Sequence, residues 1–247
     1  MQRALGKCFQ LLTPESVPEL IGSAYLNRSW GFKSLKFKLA PDIKSIVARS
    51  DFIRMAYVYQ HGGVWIDADT LMLNNPTVNL FPDGLSKKLH WYSEVLFGSL
   101  PGNPILGEAV TTSLGEHAHG WGDPGGIKKL VEQMPDQLMI IPSSVVDPGY
   151  RPRYNFVTCN VMRQRDISVG EFLVSDINIL KLYNTYFTRT TNKQQSVEEF
   201  LAGGTLLAKL FLHIEPSPQY WISKSSVLIE QCDSRRGADL PKLREYL

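Results

Sequence analysis

Two aspartates separated by one residue, Asp67 and Asp69, have the clearest chemical potential in this 247-residue chain. They follow a short apolar run, Val64-Trp65-Ile66, which predicts a buried parallel strand. Residues two apart on an extended backbone point to the same side, so both carboxylates are expected to lie together at the end of that strand. Paired carboxylates bind hard divalent cations such as Mn²⁺ or Mg²⁺, and such an ion can neutralise a departing diphosphate.

The segment before the aspartates is predicted to be helical over residues 43–60, in one or two pieces, because apolar residues recur every three or four positions. Asp51 and Arg54 are spaced i,i+3 and share one face of this helix. They could form an ordinary surface ion pair, or Arg54 could contact phosphate and sugar hydroxyls while Asp51 contacts hydroxyls. Gly62-Gly63 is expected to end the helix, because glycine readily adopts the left-handed conformation.

The remainder of the chain alternates between predicted strands and helices, which indicates an α/β fold. Strands are expected near residues 7–12, 88–92, 95–98 and 137–142. Helices are expected near residues 14–21 and 105–114, from residue 127, and over residues 197–211. The C-terminal third is less regular. A chain of this length is expected to form a single domain with a sizeable core.

Composition and charge argue against several classes of protein. The 26 basic and 24 acidic residues give a formal net charge of +2, which disfavours a nucleic-acid binder. No run approaches the ~18 apolar residues of a membrane span, and no apolar signal peptide is expected. The odd number of cysteines, without Cys-x-x-Cys spacing, fits a reducing compartment. A cytoplasmic protein is expected, with peripheral membrane association left open by a basic cluster of Lys33, Lys36, Lys38 and Lys44.

The motif Asp51-x-x-Arg54, followed by Tyr57-x-Tyr59-x-x-Gly62-Gly63-Val64-Trp65-Ile66-Asp67-Ala68-Asp69, closely resembles the sugar-binding region of Asp-x-Asp glycosyltransferases. The sequence is most similar to glycosyltransferase family 32 and to the capsular polysaccharide synthesis proteins. A weaker likeness covers Ile140-Ile141-Pro142 and extends to Pro148. The composite of helix, glycine pair, strand and acidic pair is far more specific than Asp-x-Asp alone.

This resemblance implies a GT-A-like nucleotide-diphospho-sugar transferase fold, with a mixed, mostly parallel sheet flanked by helices. It implies a metal-dependent, retaining hexosyltransferase that uses Mn²⁺ or Mg²⁺. The donor would be a UDP- or GDP-sugar and the acceptor a glycan or glycolipid, in surface polysaccharide synthesis. Residues 1–80 would form the donor and metal half of the domain. Residues 81–247 would form the acceptor half and the C-terminal tail.

The resemblance also implies individual roles. Asp69 would bind the metal directly, and Asp67 would support the metal and the ribose or sugar. Three residues are implied to contact the donor: Asp51, Arg54 and Gly63. His213 is a candidate third metal ligand, although a lone histidine among apolar residues is more often part of a core or edge. The family's first strand, which helps hold the nucleotide base, has no counterpart here. The sequence is therefore expected to be either truncated or a shortened member with a defective or rebuilt base pocket.

Other residues carry weaker signals. His117 and His119 form a His-x-His pair in a glycine-rich loop without a third nearby ligand, so loop polarity is favoured over a metal site. The turn Asp123-Pro124-Gly125-Gly126 resembles a segment near the transferred sugar, or it simply caps a helix. Aromatic residues that could stack on an acceptor sugar or pack in the core are Trp91, Tyr92 and Trp121. Acidic residues considered as a nucleophile, neither of them favoured, are Glu171 and Asp176.

Two alternative functions stay open. The first is a catalytically silent carbohydrate- or nucleotide-sugar-binding relative, which the lack of a first strand favours. The second is a metal-dependent phosphohydrolase, because paired aspartates after a strand also serve in such enzymes. The phosphohydrolase is disfavoured because the sequence shows no clear motif with the further carboxylates or histidines that such a site needs.

Overall fold

The computed structural model describes residues 43–73, 80–81, 83–116, 127–146, 162–173, 179–182 and 196–225. Several expectations lie outside these residues: the strand and helix within residues 7–21, three members of the lysine cluster (Lys33, Lys36 and Lys38), the cysteines, His117, His119, Trp121, the turn at 123–126 and Asp176. The chain divides into two compact units, one of residues 1–147 with 177–181 and the other of residues 148–176 with 182–247. A single domain divided near residue 80 stays a prediction.

The first unit begins with one long helix, α1 (Ile43–His61), which is continuous rather than in two pieces. It ends as predicted, because Gly62 and Gly63 follow with φ values of 70° and 98°. Gly62 is closely surrounded, since a Cβ added there would lie 2.7 Å from Cδ of Pro101 and 2.9 Å from the carbonyl oxygen of Ser99. This position therefore requires glycine for its space as well as its backbone conformation.

Two groups of strands follow α1 in the first unit. β1 (Gly63–Ile66) leads into β2 (Thr70–Met72), and a hairpin of β3 (Leu89–Ser93) and β4 (Leu96–Ser99) comes next. With β5 (Leu138–Ile140) these strands form a four-stranded sheet of order β1–β4–β3–β5, in which only β3 and β5 are parallel. β2 pairs separately with β6 (Ile179–Lys181) in an antiparallel ladder.

The expected α/β class with a mixed sheet is confirmed, but the described strand pairs are mainly antiparallel rather than mostly parallel. β1 in particular is half-buried and antiparallel, so the prediction of a buried parallel strand is wrong. Its partner β4 carries Gly98 opposite Val64. A Cβ on Gly98 would lie 2.8 Å from the carbonyl oxygen of Gly63, so this glycine permits the close approach of the two strands.

Three helices cover one face of the sheet and enclose the main core of the first unit. α2 (Pro104–Glu116) and α3 (Ile127–Gln133) join α1, and all three contribute to one apolar cluster with β3 and β4. Trp91 belongs to this cluster, with its ring centroid 5.8 Å from that of Phe97, so it packs in the core as the alternative reading expected. A 3-10 turn (Pro135–Gln137) precedes β5, and a short helix, α4 (Ser143–Val146), follows it.

A second apolar cluster anchors the β2–β6 pair beside the sheet. It combines Met72 of β2, Ile179 of β6 and Leu96 of β4 with Phe81 and Ile141. Because Leu96 belongs to the four-stranded sheet, this cluster holds β6 next to the bend between β1 and β2. The position of β6 also determines where its last residue, Lys181, lies.

The second unit is helical in its described part, with α5 (Val169–Phe172), α6 (Val197–Ala202), α7 (Leu206–Ile214) and a helix at residues 218–225. The single helix predicted over residues 197–211 is therefore wrong. It breaks at Gly203 and Gly204, the latter with a φ of 63°. Thr205 then caps α7, because its side chain accepts a hydrogen bond from the N–H of Ala208.

His90 on β3 makes the first unit sensitive to acid. Its imidazole is buried, meets the Phe81 ring edge-on at 5.3 Å between centroids, and accepts the backbone N–H of Ser86 through Nε2 at 3.2 Å. Burial lowers the pKa of His90 below its ordinary value. The unfolded chain therefore binds the proton more readily than the folded one. The contribution of neutral His90 to stability is full above about pH 6.5 and is lost as the pH falls towards the folded-state pKa.

We expect the melting temperature to fall between about pH 7 and pH 5, and His90→Gln to remove part of this fall. Glutamine does not titrate and keeps an acceptor for the Ser86 N–H. Thermal melts followed by circular dichroism at each pH would measure the difference. His213→Gln, which changes an exposed histidine of the second unit, is the matched control. An identical pH dependence in wild type and His90→Gln would contradict the assignment.

Candidate functional site

Asp67 and Asp69 lie in a bend at residues 67–69, between β1 and β2, rather than on an extended strand. The bend is fixed at its start, because the N–H of Asp67 donates to the carbonyl of Val95 at 3.0 Å. Both carboxylates contact the ammonium group of Lys181, which donates to Oδ2 of Asp67 at 2.9 Å and to Oδ1 of Asp69. The two side chains therefore converge, as expected, although a bend and not a strand brings them together.

Arg54 joins these aspartates to the polar face of α1. One guanidinium nitrogen lies 3.1 Å from Oδ1 of Asp67, and another contacts Oδ1 of Asp51. Asp51 is 8% exposed and Arg54 6%, so the alternative of an ordinary surface ion pair does not hold. Arg54 thus links the helix to the acidic bend across Gly62-Gly63.

Trp65 provides a further donor to the same carboxylate. Its indole Nε1 donates to Oδ1 of Asp67 at 2.9 Å, across the junction between β1 and the bend. Asp67 therefore accepts hydrogen bonds from Arg54, Trp65 and Lys181. The Asp69 side chain is more open, with 32% exposure against 21% for Asp67. Asp67 is the anchored member of the pair, and Asp69 is the one that solvent or a ligand can reach.

We call the five charged residues Asp51, Arg54, Asp67, Asp69 and Lys181 the charged network. Its three carboxylates and two basic groups carry one net negative charge. The strand register helps to position its last member, because Lys181 lies opposite Thr70, the residue after Asp69. Buried charges need partners, and within this network each contact joins opposite charges.

The metal site predicted at Asp67 and Asp69 does not fit this arrangement. Lys181 contacts an oxygen of each carboxylate, at the place where a shared cation would bind. In the part of the chain that the structure describes, no three His, Cys, Asp or Glu side chains come together as a metal site. His213 lies exposed in the last turn of α7 in the second unit, and its role as a third ligand stays a prediction.

The structure also locates two other candidates. Gly63 is exposed, and a Cβ there would meet no atom within 4 Å, so its backbone is open to a ligand while its donor contact stays a prediction. Glu171 accepts the N–H of Ser168 at 2.8 Å in a capping box at the start of α5. This hydrogen bond holds the pKa of Glu171 below its ordinary value. Glu171 thus serves as a helix cap, which gives no support to a nucleophilic role.

Sequence reasoning missed two residues of the site. The spacing of Trp65 and Asp67 could have revealed their contact, because it follows the same i,i+2 rule that paired the aspartates. Lys181 is separated from Asp69 by 112 positions and ends a three-residue strand, so no local pattern connects them. Its contact depends on the pairing of β2 with β6.

Comparison with known families supports the interpretation of this region. Residues 21–87 match the glycosyltransferase sugar-binding region containing DXD motif. The match spans the four charged residues Asp51, Arg54, Asp67 and Asp69, but it ends before Lys181. The expected glycosyltransferase-related DXD region is thereby confirmed at the level of the sugar-binding region, over roughly a quarter of the chain.

Two further searches gave no relatives. No curated protein and no solved structure matches the chain. Among the described residues, no helix has the length and apolar character needed to cross a membrane.

Proposed function

We propose that this protein is a glycosyltransferase that moves a hexose from a UDP- or GDP-sugar to a glycan or glycolipid acceptor. The observation that carries the proposal is the charged network, which lies mostly within the segment that matches the DXD region. An ordinary Asp-x-Asp turn on the surface would not be expected to form a salt bridge with a buried arginine of the preceding helix. Here Arg54 fixes Asp67, and the more exposed Asp69 faces outward from the same bend.

In this proposal the bond between the anomeric carbon and the donor diphosphate breaks, and its electron pair stays on the diphosphate oxygen. The acceptor hydroxyl oxygen forms the new bond to the anomeric carbon, and its proton passes to the departing diphosphate oxygen. A cation held at the aspartates stabilises the charge that develops on the diphosphate. Asp69 orients that cation, while Arg54 and Trp65 keep Asp67 in place.

The resemblance to Asp-x-Asp glycosyltransferases also favours retention at the anomeric carbon and a role in surface polysaccharide synthesis. Lys181 takes the position between the two carboxylates where the implied Mn²⁺ or Mg²⁺ ion would bind. A cytoplasmic location at or near the membrane would suit an acceptor on a lipid.

The test is nucleotide release by the purified full chain from a panel of UDP- and GDP-hexoses, with and without a mixture of candidate glycan acceptors. We expect UDP or GDP release from at least one donor, and its loss in Asp67→Asn. Asp136→Asn is the matched control, because this aspartate is exposed on the 3-10 turn. If none of the donors is bound or cleaved, the glycosyltransferase proposal fails.

A catalytically silent sugar-nucleotide-binding relative is the second candidate. One observation favours it: both carboxylates of the DXD pair already hold a basic group of the protein itself. Titration calorimetry with the same donors distinguishes the two. Binding that Asp67→Asn weakens, without any nucleotide release, would support the binding protein over the enzyme.

A further inference from the structure

We propose that Lys181 is the resident cation of the Asp67–Asp69 pair and that it keeps divalent metal ions out of this site. Its ammonium group contacts both carboxylates, and its side chain is only 8% exposed. It thus bridges the two acidic groups as a shared metal ion would. The family motif identifies the aspartates, whereas the lysine comes from a distant strand outside the matched segment.

Both carboxylate oxygens of Asp67 already accept hydrogen bonds from protein donors. Oδ1 of Asp67 accepts from Arg54 and Trp65, and Oδ2 accepts from Lys181. A divalent ion that bridges the aspartates would therefore have to share Oδ2 of Asp67 with Lys181 or displace the ammonium. Sharing places like charges a few ångströms apart in a poorly solvated setting, where their repulsion is strong. Binding of the metal and binding of the ammonium at this pair are therefore mutually exclusive.

The backbone holds Lys181 in this position. Ile179 and Leu180 are fully buried, and β6 pairs in register with β2, which directly follows the acidic bend. The lysine therefore has a fixed Cα next to Thr70 and a buried stem. Its displacement would expose this stem and leave two carboxylates to find another cation.

This inference rests on the proposed function in one respect: the cation that meets the donor diphosphate is then the ammonium group of Lys181. An ammonium provides a single charge and three N–H donors, enough to hold both carboxylates and still point one donor at a phosphate oxygen. The exclusion of metal can be tested without any donor, so a failed glycosyltransferase assay would not affect its outcome.

The test is direct Mn²⁺ binding to the full chain, followed by the electron paramagnetic resonance signal of the free ion. We expect weak or no binding by the wild type and an affinity at least about 10-fold higher in Lys181→Met, where the carboxylates are released. Lys181→Arg should stay like the wild type, because it keeps the positive charge. The gain should vanish in Asp69→Asn/Lys181→Met. Lys128→Met is the matched control, since this lysine is exposed on α3.

If Lys181→Met folds poorly, the effect of Mn²⁺ on its melting temperature still tests the proposal. Mn²⁺ should raise the melting temperature of Lys181→Met and not that of the wild type, because a ligand of the folded state stabilises it by mass action. Wild-type Mn²⁺ binding that Asp69→Asn abolishes, with no gain in Lys181→Met, would overturn the proposal. A Lys181→Met protein that neither binds Mn²⁺ nor gains stability from it would overturn it as well.

Discussion

Arg54→Met is expected to destabilise the protein by about 3–5 kcal/mol, the cost typical of breaking a buried ion pair by removing one of its members. Asp51 would keep its charge at a site where it is 8% exposed, and Asp67 would lose one of the three side chains that donate to it. Methionine matches the length of the arginine stem, so lost packing contributes little. In a chain of this size the loss corresponds to a fall in melting temperature of roughly 6–20 °C.

A double-mutant comparison distinguishes the lost charge partner from a general disturbance of α1. In Asp51→Leu/Arg54→Met both buried charges are replaced by apolar groups, and at least half of the lost stability should return. Arg165→Met, at an exposed arginine, should change the melting temperature little. If the double variant is no more stable than Arg54→Met, loss of the ion pair between Asp51 and Arg54 is not the cause of the loss of stability.

The half of the site that lies on continuous sequence was predictable from local rules. The i,i+3 spacing of Asp51 and Arg54 and the glycine pair follow from helix geometry within one segment. The convergence of Asp67 and Asp69 was predicted from strand geometry, although a bend produces it. Similar signals were available for the helix break before Thr205, because a glycine pair followed by a capping residue marks a new helix start. In the structure Gly203-Gly204 and the Thr205 cap therefore divide the single helix predicted over residues 197–211.

The other half of the site depends on which strands become neighbours, and a single strand does not encode this. Val64-Trp65-Ile66 has the apolar character of a buried strand, yet its direction relative to β4 is set by pairing with residues 96–99. Likewise Lys181 follows two buried apolar residues, and its local sequence does not distinguish it from the last residue of other strands. Only the β2–β6 register brings its ammonium group to the aspartates. Because the sequence does not reveal this register, the cation predicted at the aspartates was a metal ion.

Asp69→Asn is expected to lower nucleotide release from the donor on the order of 10²-fold while leaving the fold nearly intact. The substitution keeps the shape of the side chain and removes the charge that orients the cation at the diphosphate. Because the Asp69 side chain is 32% exposed and Lys181 keeps its contact with Asp67, the expected loss of stability is about 1 kcal/mol or less. Initial rates at saturating donor, together with thermal melts, would measure both effects.

Comparison of Asp69→Asn with Asp67→Asn distinguishes an effect on activity from an effect on stability. Asp67→Asn should lose stability as well as activity, because Arg54, Trp65 and Lys181 all donate to that carboxylate. Asp69→Asn should lose activity alone, since Asp69 is the more exposed member of the pair. If Asp69→Asn releases nucleotide at the wild-type rate, Asp69 does not orient the cation, even in an active glycosyltransferase. Lys181, positioned through its contact with Asp67, would then have to stabilise the charge of the leaving diphosphate without Asp69.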